Sequence, residues 1–284
     1  MMTNEGRKMN SSTIYDRMLK RYMDIYSENE KPADMFNLPP AIPFIGKQYQ
    51  NMSPKIISYA SAENLSDYYD KDLKPIDSIF HQLEPMDQFN RARYYYSNYS
   101  SDFPHIHIEP FNTGNQLLIT RHILTKLGYN SSFETDPFGF IEQIVAANPG
   151  KFSIAGKGNK DYASDPQKMR FSINYIQEDL NLLKPNIVIL PGTIFKTIDK
   201  IKKWKIMIGE ANLHSVDFVQ IVQLSSLNNP QINSAIKGLP QPDLNDELYG
   251  NWFDLLKSRK VATESFYSWV DNELFKHITV AAKN

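Results

Sequence analysis

Apolar residues first recur at helical spacing over Tyr15, Met18, Leu19, Tyr22, Met23 and Tyr26, with Arg17, Lys20 and Arg21 off the stripe. Ser12 or Thr13 stands where a cap belongs, and the first ten residues read as a loose tail. Residues 31–54 carry five prolines and no period, the pattern of an extended wrap or linker. Lys55–Ala60 is the first apolar run suited to a core strand, and Ser61–Tyr69 turns polar and aromatic after it. Asp77–Tyr99 patterns as a helix kinked at Pro85, Phe103–Phe111 as an extended segment, and Thr113–Leu127 as a helix closed by Gly128. Asp136-Pro137 has the Asp N-cap and first-turn proline of another helix, expected to run to Asn148.

Lys151–Ala155 then reads as a strand. Asp165-Pro166 repeats the cap signature ahead of a helix to Leu183. Asn186–Leu190 is a continuous apolar run, as a central parallel strand should be, and Pro191-Gly192-Thr193 breaks it into a helix to about Lys203. Phe218–Val222 is a further strand. Helices are expected over Pro230–Lys237, Asp246–Ser258 and Thr263–Ala281. Alternating strands and helices with right-handed crossovers predict an α/β fold. It would be a three-layer α/β/α unit with a short, mostly parallel sheet of four or five strands. Residues 1–54 would form an N-terminal tail, helix and wrap, and residues 55–284 one α/β domain with C-terminal helices.

Composition narrows the chemistry. The 284 residues contain no cysteine, which removes disulfides, thiolate zinc sites, iron–sulfur clusters and a cysteine nucleophile. A reducing, cytoplasmic setting is the expectation. No apolar run approaches the ~18 residues of a membrane span, and the opening MMTNEGRKMNSST has no apolar core of a secretory signal. Lys and Arg number 31 against 32 Asp and Glu, so a global cationic field is missing and any nucleic-acid contact needs a local patch. Sixteen tyrosines and sixteen phenylalanines serve packing first, and stacking on bases second.

His105 and His107 point the same way in an extended segment with Glu109 nearby, yet no further ligand stands at a natural spacing; no metal or cofactor is expected. Gly156-Lys-Gly158 follows a strand, where backbone amides can hold a phosphate, but it is neither a dinucleotide fingerprint nor a Walker loop, and a plain turn is the better reading. There is no Gly-x-Ser-x-Gly elbow. Three strand ends draw attention together. They are Ser61-Ala-Glu63-Asn64, Gly156–Lys160 and Gln223-Leu-Ser-Ser-Leu-Asn228. On one parallel sheet all three emerge at the carboxyl edge, where open α/β sheets bind ligands.

In that order the segments resemble the uracil-DNA glycosylase superfamily over roughly Lys55–Lys237. Ile56–Glu63 resembles its first strand and water-activating loop, and Phe152-Ser-Ile-Ala-Gly156 the strand leading to its base-recognition asparagine. Pro185–Gly192 is similar to its penultimate strand. Ile221-Val-Gln223-Leu-Ser225-Ser-Leu-Asn228 is similar to its last motif, with Gln for His and with Leu and Ser for two prolines. The resemblance implies Glu63 as the group that orients water, and Gln223 with Ser225 as donors to the leaving base. Asn159 would read the base edge in place of Gly156. Asn64, Tyr59, Tyr68 or Tyr69 would line or stack on the base, and Ser226, Leu227 and Asn228 would touch DNA. Replacing a cationic histidine with an amide costs about 10²–10³ in rate if a preorganised donor is lost. Two readings therefore stand beside each other: hydrolysis of the N-glycosidic bond of a flipped damaged base, or non-catalytic binding of nucleic acid or nucleotide on the same scaffold. A different α/β enzyme of free nucleotides or nucleosides is a third.

Overall fold

The computed structural model describes residues 11–33, 35, 38–62, 88–90, 92, 120, 123–124, 139–152 and 159–221. The expected elements over 63–87, 93–119, 125–138 and 222–284 lie outside them. In chain order the elements are α1 (Ser11–Glu28), β1 (Phe44–Ile45), β2 (Ile56–Tyr59), β3 (Val145–Ala147), α2 (Asn159–Ser164), α3 (Pro166–Met169), α4 (Ile173–Leu183), β4 (Ile187–Pro191), α5 (Gly192–Ile201), α6 (Trp204–Glu210) and β5 (Asp217–Ile221). The strands form one mixed sheet in the order β1-β3-β2-β4-β5, and the fold is α/β. Among the described residues only the β1–β3 pairing is antiparallel; β3–β2, β2–β4 and β4–β5 are parallel.

Register explains how so short a sheet is held. Ile45, Val145, Ile57, Val188 and Phe218 are aligned across the five strands. All five side chains join the core cluster with α1, α4 and α5. Strand periodicity sends the neighbouring residues to the other face. There Ala146, Ile56, Ser58, Ile189 and Val219 are buried too. Ser58 keeps its hydroxyl satisfied on that face, with Oγ 2.7 Å from Oγ1 of Thr120.

The N-terminal helix is part of this core. Ile14, Tyr15, Met18, Tyr22 and Ile25 are buried, whereas Met23, on the expected stripe, is 40% exposed. Each such burial is worth about 1.5–3 kcal/mol. Arg21 ties α1 to Glu178 of α4 at 2.9 Å. The proline-rich stretch after α1 supplies the edge strand β1, so α1 and β1 share a core and a sheet with β2–β5 and their helices. The hydroxyl of Tyr15 accepts from the Ile45 amide at 2.7 Å and donates to its carbonyl at 3.3 Å. That covers backbone groups of an edge strand, which would otherwise template pairing with another chain.

Three expectations need correction. The helix expected to reach Asn148 is instead a 3-10 turn, Gly139–Gln143, followed by β3. Of the strand expected at Lys151–Ala155, Lys151 and Phe152 are buried outside any strand and residues 153–155 lie outside the described residues; the described strand here is β3, with Gly150 after it bridged to Ala62. A run as short as Ile144–Ala147 fits helix or strand by pattern, and pairing with β2 decides it. Third, the helix from Asp165 to Leu183 is interrupted by a 3-10 turn at Arg170–Ser172. Its start is as expected: Asp165 caps it by accepting from the Gln167 amide at 2.8 Å, with Pro166 in the first turn.

Candidate functional site at the carboxyl edge of the sheet

The four parallel strands read β3-β2-β4-β5 across the sheet, so chain order reverses between β2 and β4. A doubly wound sheet opens a crevice at the carboxyl ends where its order reverses. Here Ala60–Ala62 leave β2 on one side. On the other, Pro191 passes directly into α5, whose N-cap residue offers no side-chain acceptor. Pairing persists past the strands: the Ala60 amide donates to Ala147 O and the Gly150 amide to Ser61 O, both at 2.9 Å.

Gly150 is where that edge closes. A Cβ added there would lie 2.6 Å from a ring carbon of Tyr162 and 2.7 Å from Cβ of Ala62. Directly under the edge, Lys151 turns inward. Its amide donates to Ser172 Oγ at 3.0 Å, and that hydroxyl also meets the Tyr162 hydroxyl at 3.0 Å. Its side chain is 1% exposed, and the ammonium lies 2.7 Å from Oδ2 of Asp179, itself wholly buried on α4. Tyr59 donates to the same oxygen at 2.7 Å, and Tyr22 to Oδ1 at 2.5 Å. The ammonium also sits 5.4 and 5.7 Å from the ring centroids of Tyr22 and Tyr59. Burial lowers the Lys151 pKa, opposed by the Asp179 charge. Burial first, then that same charge, holds both phenols well above the ordinary tyrosine value.

This cluster joins α1, β2, the segment after β3, and α4. The sequence carried no motif for it, since its members are 22, 59, 151 and 179 in the chain. A lysine directly after Asn-Pro-Gly and ahead of an apolar run was the one available signal.

Of the residues singled out by sequence, Tyr59 is the last residue of β2 and fully buried. Its ring belongs to the core and its hydroxyl to Asp179, so a stacking role on a base is withdrawn. Asn159 is the first residue of α2. Glu63, Asn64, Tyr68, Tyr69, Gln223, Ser225, Ser226, Leu227 and Asn228 lie outside the described residues, as do His105, His107 and Gly156–Gly158. The described chain stops at Ala62 and Ile221, next to Glu63 and two residues before Gln223. Among the described residues no group of three acids or histidines could hold a metal, and no helix is long and apolar enough to cross a membrane.

No family model, curated protein or solved structure matches the chain.

Proposed function

We propose that the chain is a uracil-DNA glycosylase-like protein of three-layer α/β/α build that hydrolyses the N-glycosidic bond of a flipped, damaged base in DNA. One observation carries the reading. β2 and β5, the strands before the two motifs, run parallel with only β4 between them. At about 4.8 Å per strand spacing, their carboxyl ends are about 10 Å apart, the span of a nucleobase pocket. In this reading Glu63 orients water and steadies the oxocarbenium-like sugar. Gln223, with Ser225, donates to the base as it leaves as an anion. Asn159 and Asn64 bind the base edge, Tyr68 stacks on it, and Ser226 and Asn228 meet phosphates while Leu227 wedges into the stack. Extrusion costs a few kcal/mol, least at a damaged or mismatched base.

The amide at Gln223 favours a second reading, a non-catalytic binder of nucleic acid or nucleotide on the same scaffold, because an amide cannot carry the positive charge of an imidazolium.

The test is incubation with oligonucleotides bearing uracil, hypoxanthine or xanthine, followed by alkali. Strand breaks that vanish in Glu63→Ala support the enzyme. Intact strands on every substrate, with retained DNA binding, leave the binder.

A further inference from the structure

We infer that α5, which leaves the sheet's carboxyl edge, and the start of α6 form a lysine track that holds the sugar–phosphate backbone of a nucleic acid, an inference that rests on the nucleic-acid reading above. Residues 192–205 contain five lysines and one acid, Asp199, a local balance of +4 in a chain whose total is −1. That asymmetry marks an electrostatic footprint that whole-chain charge conceals.

The side chains are arranged for it. Ile194, Thr197 and Ile198 bury one face of α5 in the body, while Lys196, Lys200, Lys203 and Lys205 are exposed. Lys196 and Lys200 are four residues apart, about 6 Å along the axis. Asp199 is taken up by Lys203 at 3.0 Å and by the Trp204 amide at 3.0 Å, and Lys202 by Glu210. Among the described residues no acid pairs with Lys196, Lys200 or Lys205. α5 begins where β4 ends, and Lys196, one turn into it, is the end of the row nearer the sheet's carboxyl edge.

An anionic membrane is the other polyanion such a row could meet. Stable membrane association needs an apolar face to insert. The apolar face of α5 is already packed, and Ile206, 52% exposed, is the one large exposed hydrophobic beside the row among the described residues. Nucleic acid fits better.

The experiment is fluorescence anisotropy with an unmodified duplex across a salt series, using the full chain and Lys196→Gln/Lys200→Gln/Lys205→Gln. Unmodified DNA reads the track without requiring glycosylase activity, so the two readings fail separately. The unchanged chain should bind with a Kd of about 10⁻⁴–10⁻⁶ M at physiological salt, weakening as salt rises. The triple variant should lose about three from the slope of log K against log salt, with an unaltered circular dichroism spectrum. A Lys20→Gln/Lys31→Gln control should keep the slope. An unchanged slope in the triple variant, an equal loss in the control, or binding to anionic vesicles but not to DNA would overturn the track.

Discussion

Asp179 receives three donors at once: the Lys151 ammonium and the hydroxyls of Tyr22 and Tyr59. Desolvating a carboxylate and an ammonium is costly, and only a fully donated geometry offsets it. Removing the charge alone leaves Lys151 buried and unpaired, so Asp179→Asn should lose about 3–5 kcal/mol in denaturant unfolding. Asp179→Leu combined with Lys151→Met should lose less than the two single losses summed, because the members share one network. Stability should also depend on pH in a specific direction. Tyr22, Tyr59 and Tyr175 have folded pKa values raised by burial. They stabilise fully below the ordinary tyrosine value near 10, and this is lost as pH climbs above it, since only the unfolded chain readily ionises them. Lys151 acts oppositely, its lowered pKa adding stability as pH rises toward the ordinary lysine value. The Lys151 gain ends near the ordinary lysine value while the phenols go on losing, so melting temperature should fall above about pH 10.5, and Tyr22→Phe should flatten the fall. An undiminished melting temperature at pH 11 would contradict this. Apart from the lysine after Asn-Pro-Gly, this network was not legible in the sequence, because nothing in local pattern reports which distant polar side chains meet in a core. Tyr59 shows the consequence: its place at a strand end suggested a base platform, and its partner on α4 makes it a core residue.

At the scale of elements, local chemistry was readable wherever it was self-contained. Asp165-Pro166 caps α3 as its type and order require, and Asp165→Ala should cost about 1 kcal/mol. The apolar runs of β2, β4 and β5 were legible because strands buried on both faces need no alternation. β3 was not. It has three residues, is preceded by a 3-10 turn, and exists through pairing with β1 and β2. α6 was missed although Trp204, Met207 and Ala211 bury one side of it at helical spacing. At seven residues it is too short for a helical period to stand out in the sequence. Gly150 joins this scale to the site. Gly150→Ala should cost about 1–3 kcal/mol by overpacking Tyr162 and Ala62. Thermal unfolding checks it, and a change within about 0.3 kcal/mol would show that the edge can relax.

For the whole molecule, the sheet order is what the proposed reading rests on, since β2 and β5, the strands before the two motifs, run parallel with β4 between them. Alternation of elements suggested a mostly parallel sheet, but only tertiary pairing sets β2 beside β4, with β5 beyond. The central claim is that position 223 faces the base that Glu63 helps to release. It is tested most directly by single-turnover cleavage of one lesion-bearing duplex by the natural chain and by Gln223→His. Restoring a cationic donor there should raise the rate by about 10²–10³-fold, and the gain should disappear in Glu63→Ala. A rate unchanged by Gln223→His, or a gain indifferent to Glu63, would contradict the account.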